Sequence, residues 1–177
     1  MNDLITIDRR RQRTRDAIRK AFVDLALNRR YEEFSTADLI VTANIGKSTF
    51  YEHYKGKDDV LRSLMEGMLG ELARAATGQL DPARLRFLVS HFWDNRRLGK
   101  SVFGPPLVQP IRRRLAVLIE EALCEQPGMT GRTRRATALY IAAGQIGLLH
   151  AWLSGELSAD IEEVVAALAR EAHSSLS

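Results

Sequence analysis

The chain reads as all-α, with a three-helix helix-turn-helix domain over residues 1–57 and a helical domain over residues 58–177. Three observations predict this. Apolar residues recur at three- and four-residue spacing along most of the chain, and no run alternates with period two. The stretch STADLIVTANIGKSTFYEHYKGKDDVL, residues 35 to 61, reads as two short helices around a tight turn. Breaks at Gly78, residues 99–110 and QPGMTG separate the later periodic stretches.

The elements follow in order. Residues 1–12 read as a flexible basic arm. Arg13 to Asn28 is a helix whose Ile18, Ala21, Phe22, Leu25 and Ala26 share one face. Ser35 is an N-cap with Asp38 as its acidic partner three residues on, and Leu39, Ile40 and Ala43 then face inward. Asn44 occupies the sharp turn, because Asn tolerates the left-handed conformation. The next helix spans about Lys47 to Tyr54, is anchored by Ile45 and Phe50, and closes at Gly56.

A fourth helix starts near Asp58 and Asp59, acids favoured at a helix N-terminus, and ends near Gly78. Pro82 opens a fifth, which runs through Phe92 and Trp93. Residues 99–110 read as a loop with one short turn, and Pro110 begins a helix to about Cys124. After the break QPGMTG, helices run from about Arg132 to Leu153 and from Ala159 to Ala172, with Ser158 as a cap.

Charge narrows the partners. The net charge is +4, and all of the excess lies in residues 1–57, which hold 12 Lys/Arg against 8 Asp/Glu; the remainder holds 14 of each. Such asymmetry points to a polyanion. The lone Cys124 rules out an internal disulfide and fits a reducing compartment. The N-terminus, with Asp3, Asp8 and arginines, does not read as a signal peptide, so a cytoplasmic location is expected. Ala136 to Leu153 is the longest apolar stretch, and it falls short of the ~20 clean residues of a membrane span.

The helix after the turn has the two attributes of a DNA-reading element. Phe50 locks it inward, while Lys47, Ser48, Thr49, Tyr51 and His53 are left to face outward. Lys donates to guanine, Ser and Thr reach several base edges, and Thr and Tyr pack on a thymine methyl. His53 and Lys57 suit phosphates, and Arg9, Arg10, Arg11, Arg13 and Arg15 suit the backbone or the minor groove.

On these residues the first sixty positions resemble the DNA-binding domain of the TetR family of transcriptional regulators. The shared pattern comprises Thr14, Arg15 and Ile18, then Tyr31, Ser35, Asp38 and Leu39. It continues from Ala43 through Lys47, Ser48, Thr49, Phe50, Tyr51, His53 and Tyr54, and closes with Lys55, Lys57 and Leu61. Three positions depart from it: Asn44 stands for the turn glycine, Gly46 for a serine and Ile40 for a small residue. The glycine at 46 removes a hydroxyl that would contact a phosphate or base.

The resemblance implies DNA contacts at Ser35, Lys47, Ser48, Thr49, Tyr51, His53 and Lys57. It also implies a palindromic double-stranded operator, and a C-terminal domain that dimerises through its last two helices and holds a small-molecule effector. Gly144, Gly147, Leu148 and Ala151 would form that interface with Ile161, Val164, Val165 and Leu168. The small residues among them independently give the penultimate helix a smooth surface, and the last helix has an apolar stripe. Met65, Met68, Phe92, Trp93, Phe103 and Tyr140 are the candidate pocket lining, although Met and aromatic residues at helical spacing are more often ordinary core.

Histidines, cysteine and acids form no metal-ligand spacing and no nucleophile motif, and there is no glycine-rich phosphate loop. Neither an enzyme nor a cofactor is expected. The expected function is a sequence-specific regulator, a repressor released by an effector; the alternative is a DNA-binding dimer with no effector, in an adaptor or architectural role.

Overall fold

The structure is a computed structural model that describes residues 2–124 and 130–174, with side chains described for residues 9–124 and 130–169. The described residues are helical and turn segments, without a strand, as the periodicity predicts. They fall into two compact units that divide between Met65 and Glu66.

The first unit begins with α1, Asn2–Asn28. Residues 2–12 of the expected flexible arm are therefore helix. No glycine or proline interrupts residues 2–28, and the arginine stretch is held by local bonds. Gln12 Nε2 donates to Asp16 Oδ1 at 2.9 Å, and Thr14 Oγ1 donates to the Arg10 carbonyl at 3.1 Å. The apolar face of α1 buries Ile18, Ala21, Phe22 and Leu25. A single 3₁₀ turn, Tyr31–Glu33, adds Tyr31, and Phe22, Tyr31 and Phe34 pack with ring centroids 5.6 to 6.3 Å apart.

Next come α2, Thr36–Thr42, and α3, Lys47–Tyr51. Helix α3 is shorter than the expected Lys47–Tyr54, with Glu52 and His53 in the turn that follows. Gly56 does not close it. The Gly56 carbonyl accepts from the amides of Asp59 and Val60, so this residue opens α4, Lys57–Ala76. Helix α4 runs unbroken through the boundary between the units, and Gly78 follows it at φ 70°.

The second unit continues with α5, Pro82–Asp94, whose N-cap Asp81 accepts from Ala83 N at 2.7 Å. The segment expected as a loop takes in the end of α6, Arg96–Phe103, and the start of α7, Val108–Leu123, with Pro110 inside the first turn of α7. Gly99 lies in α6 against Leu153: a Cβ there would lie 2.8 Å from Leu153 Cδ1, so that side chain would have to shift to admit one. The break expected at QPGMTG lies mostly outside the described residues, and α8, Gly131–Ser154, follows it.

Helix α8 packs along α6 and α7, and α9, Ile161–Ser174, packs on α5 and α8. The cap of α9 is Asp160 rather than Ser158. Its carboxylate accepts from Glu163 N, while its own amide donates to Glu163 Oε2, both at 2.8 Å. By length and composition α8 does reach what a membrane span requires, contrary to the sequence expectation. Packing explains its apolarity: Ile141, Ile146, Leu149, Trp152 and Leu153 are core residues.

Candidate nucleic-acid interface

Local chemistry aims α3. Ser35 and Asp38 form the expected reciprocal cap: Asp38 N donates to Ser35 Oγ at 3.2 Å, and Ser35 N donates to Asp38 Oδ2 at 2.7 Å. The Ser35 hydroxyl also donates to that carboxylate at 2.7 Å. Both bonds to the ionised form hold the Asp38 carboxyl below the usual range. Asn44 takes φ 51°, the left-handed turn predicted for it. Phe50 is fully buried, with the Tyr51 and Tyr54 rings 5.4 and 6.1 Å away.

With Phe50 fixed, the outward face of α3 is set. Lys47 and Ser48 are exposed, Tyr51 is 51% exposed, and Thr49 and His53 are half-buried. Gly46 is the N-cap and supplies no side-chain bond. A Cβ at this position would meet only Thr49 Oγ1, at 3.7 Å, and Ser48 Oγ, at 3.9 Å.

The helical extension of α1 adds a feature that sequence reasoning missed. Arg10, Arg11 and Thr14 of α1 join Thr49, Glu52 and His53 around an open notch of about 320 Å³. The four-residue spacing of Arg10 and Thr14 is the sequence signal for it, and it vanishes once the segment is taken for a tail. Burial lowers the His53 pKa, and so do the Arg15 and Arg11 guanidiniums; Glu52 pulls it up.

Lys57, expected on a phosphate, has another task. Its ammonium donates to the carbonyls of Tyr31 and Phe34, each at 2.8 Å. It also stands 4.1 Å from the Tyr31 ring centroid and 5.1 Å from that of Phe34. Its backbone amide donates to Thr36 Oγ1 at 3.2 Å. The cation satisfies carbonyls that the end of the 3₁₀ turn leaves open, and the neighbouring Asp58 carboxylate accepts from the Tyr31 hydroxyl. Burial and that bond push the Tyr31 phenol well above its ordinary pKa.

The C-terminal candidates are distributed as follows. Met65 is buried within the first unit. In the second, Phe92 and Phe103 are buried and meet edge-on at 5.3 Å, and Met68 is half-buried. Trp93 stacks on Trp152 at 4.8 Å and carries Arg96 over its outer face at 5.4 Å. Tyr140 is 71% exposed. Of the interface candidates, Val164 and Leu168 are buried within the protomer. Gly144, Leu148, Ala151, Ile161 and Val165 are half-buried, and Gly147 is exposed. Ala136, Leu139, Tyr140 and Ala143 extend an uncharged exposed strip along α8.

No family profile matches the chain. The structure is similar to that of a TetR transcriptional regulator from Streptococcus agalactiae 2603V, with TM-score 0.62, 23% identity, and coverage of 96% of this chain and 98% of that one. It is also similar to the dihydroxyacetone kinase operon activator DhaS, with TM-score 0.55, 17% identity, and coverage of 92% and 96%. The chain thus has the fold of the TetR-family regulators.

Sequence similarity is confined to a shorter region. The chain is 39% identical over 67 residues to the uncharacterized HTH-type transcriptional regulator YxbF of Bacillus subtilis (strain 168), which is 37% of this chain and 18% of that protein. It is 34% identical over 59 residues to the HTH-type dhaKLM operon transcriptional activator DhaS of Lactococcus lactis subsp. lactis (strain IL1403). That match covers 33% of this chain and 32% of DhaS, so the sequence similarity spans under a third of either relative.

Proposed function

We propose that this chain is a DNA-binding transcriptional regulator of the TetR type, a cytoplasmic homodimer that represses from a palindromic operator and is released by a small-molecule effector. One observation carries the DNA reading. The short helix α3 is pinned by the fully buried Phe50 and turns Lys47, Ser48 and Tyr51 to solvent. A short helix held by one buried ring, with donor-bearing side chains turned outward, suits insertion into a major groove, where base edges supply their partners.

Two copies would place their α3 helices about one turn of B-DNA apart, ~34 Å, to read successive major grooves. Helix α4 supports an effector mechanism because it is continuous through both units, so a ligand that shifts its second half also moves its first. Selection of bound sequences from a random duplex library tests the reading. A palindromic site whose preferred bases change in Lys47→Ala or Thr49→Val supports it; recovery of no preferred sequence overturns it.

A second reading is a DNA-binding dimer with no effector. It is favoured by the candidate pocket residues themselves, since Trp93 is stacked on Trp152 and Tyr140 faces solvent. A thermal-shift screen separates the two. A compound that raises the unfolding temperature and lowers operator affinity selects the effector-controlled regulator. The similarity to DhaS, an operon activator by its name, makes activation the competing sign of control. Transcription in vitro with and without the operator decides it.

A further inference from the structure

We propose that the notch between α1 and the end of α3 seats one phosphate group, and that His53 takes up a proton as the phosphate enters. This rests on the DNA-binding reading where the phosphate is a DNA phosphodiester; a free phosphate offers the same oxygens.

The notch is open, about 320 Å³, and is walled on one side by Arg10, Arg11 and Thr14 and on the other by Thr49, Glu52 and His53. Its polar inventory suits a small anion. Two guanidiniums donate in a planar fork, which matches phosphate oxygens. The Thr14 hydroxyl is already committed to the Arg10 carbonyl, so Thr49 supplies the free hydroxyl. His53 completes the ring of donors only if the nitrogen facing the phosphate carries a proton.

The charged groups around His53 fix the direction of coupling. Arg11 and Arg15 on α1 disfavour a second cation there, as does partial burial, while Glu52 alone favours it. Free His53 therefore gives up its proton more readily than an ordinary imidazole. A phosphate between His53 and the arginines reverses the local potential. It screens the guanidiniums and accepts a hydrogen bond from the imidazolium, so the His53 pKa rises on binding. Between the free and bound pKa values each protomer takes up one proton as it binds. Half-site affinity then falls towards tenfold per pH unit as pH rises, and levels off outside that window.

Glu52 has a part in this balance. Its carboxylate opposes anions in the notch and keeps His53 from becoming too weak a base to respond.

The experiment titrates a selected operator duplex against the full chain from about pH 5.5 to about pH 8, for the wild type and His53→Gln. Expected is a wild-type affinity that falls as pH rises and a His53→Gln affinity that is flat. A flat wild-type profile, or an equal slope in His53→Gln, overturns the proposal while leaving the DNA-binding reading intact. A second arm needs no variant: the His53 ring resonances of the wild type are followed through a pH titration with and without inorganic phosphate. A pKa raised by phosphate supports the seat even if no duplex is bound, in which case only the DNA-binding reading fails. A pKa unmoved by both phosphate and duplex overturns the seat.

Discussion

At the scale of single residues, Lys47 and Lys57 show why two lysines ten positions apart are not equivalent. Lys47 is exposed on α3, whereas the Lys57 ammonium is spent on two carbonyls and lies against two rings. Lys57→Met should cost about 2 kcal/mol of stability, because it removes charged hydrogen bonds and a cation–π interaction together. Lys47→Ala should stay within about 0.5 kcal/mol of wild type and still weaken DNA binding. Urea unfolding beside a binding titration checks both, and a stable Lys57→Met protein with weakened DNA affinity would return Lys57 to the phosphate backbone. At the turn, Asn44 holds φ 51°, so Asn44→Ala should cost about 1 kcal/mol by forcing alanine into the left-handed region.

Element boundaries depend on caps, and these divide into what the sequence displays and what it hides. The Ser35–Asp38 box is legible because both partners lie three residues apart and announce themselves by type. The Asp38 carboxyl is held below its unfolded value, so its support for α2 is complete above about pH 4 and fades as pH falls through the depressed folded pKa. Loss of α2 amide protection on acidification, absent from an Asp38→Asn control, is the expected record in hydrogen exchange. Asp160 is easily passed over for Ser158 because both residue types cap well, and only the bond to Glu163 decides between them. Asp160→Ala should lower stability by about 1 kcal/mol, whereas Ser158→Ala should leave it unchanged. Helix α6 is hidden for another reason: Gly99 reads locally as a breaker, and its partner Leu153 is 54 positions away.

For the whole molecule, the helix-turn-helix is readable from local spacing, whereas the tasks of Lys57 and of the arginines on α1 depend on packing between distant segments. The exposed α8 strip belongs to this scale as well. Gly147 is exposed and a Cβ there would meet nothing within 4 Å, so Gly147→Arg is free of strain inside one protomer. If two copies pair through α8 and α9, that variant should sediment as a folded monomer and lose operator affinity; an unchanged dimer would place the interface elsewhere. The sheltered lysine also has a use. The chain has five lysines, of which Lys20, Lys47, Lys55 and Lys100 are exposed and Lys57 is half-buried under its bonds. An acylating reagent should therefore label four side-chain amines promptly and the fifth only when the N-terminal unit opens, which makes the slow label a clock for local unfolding in the intact protein.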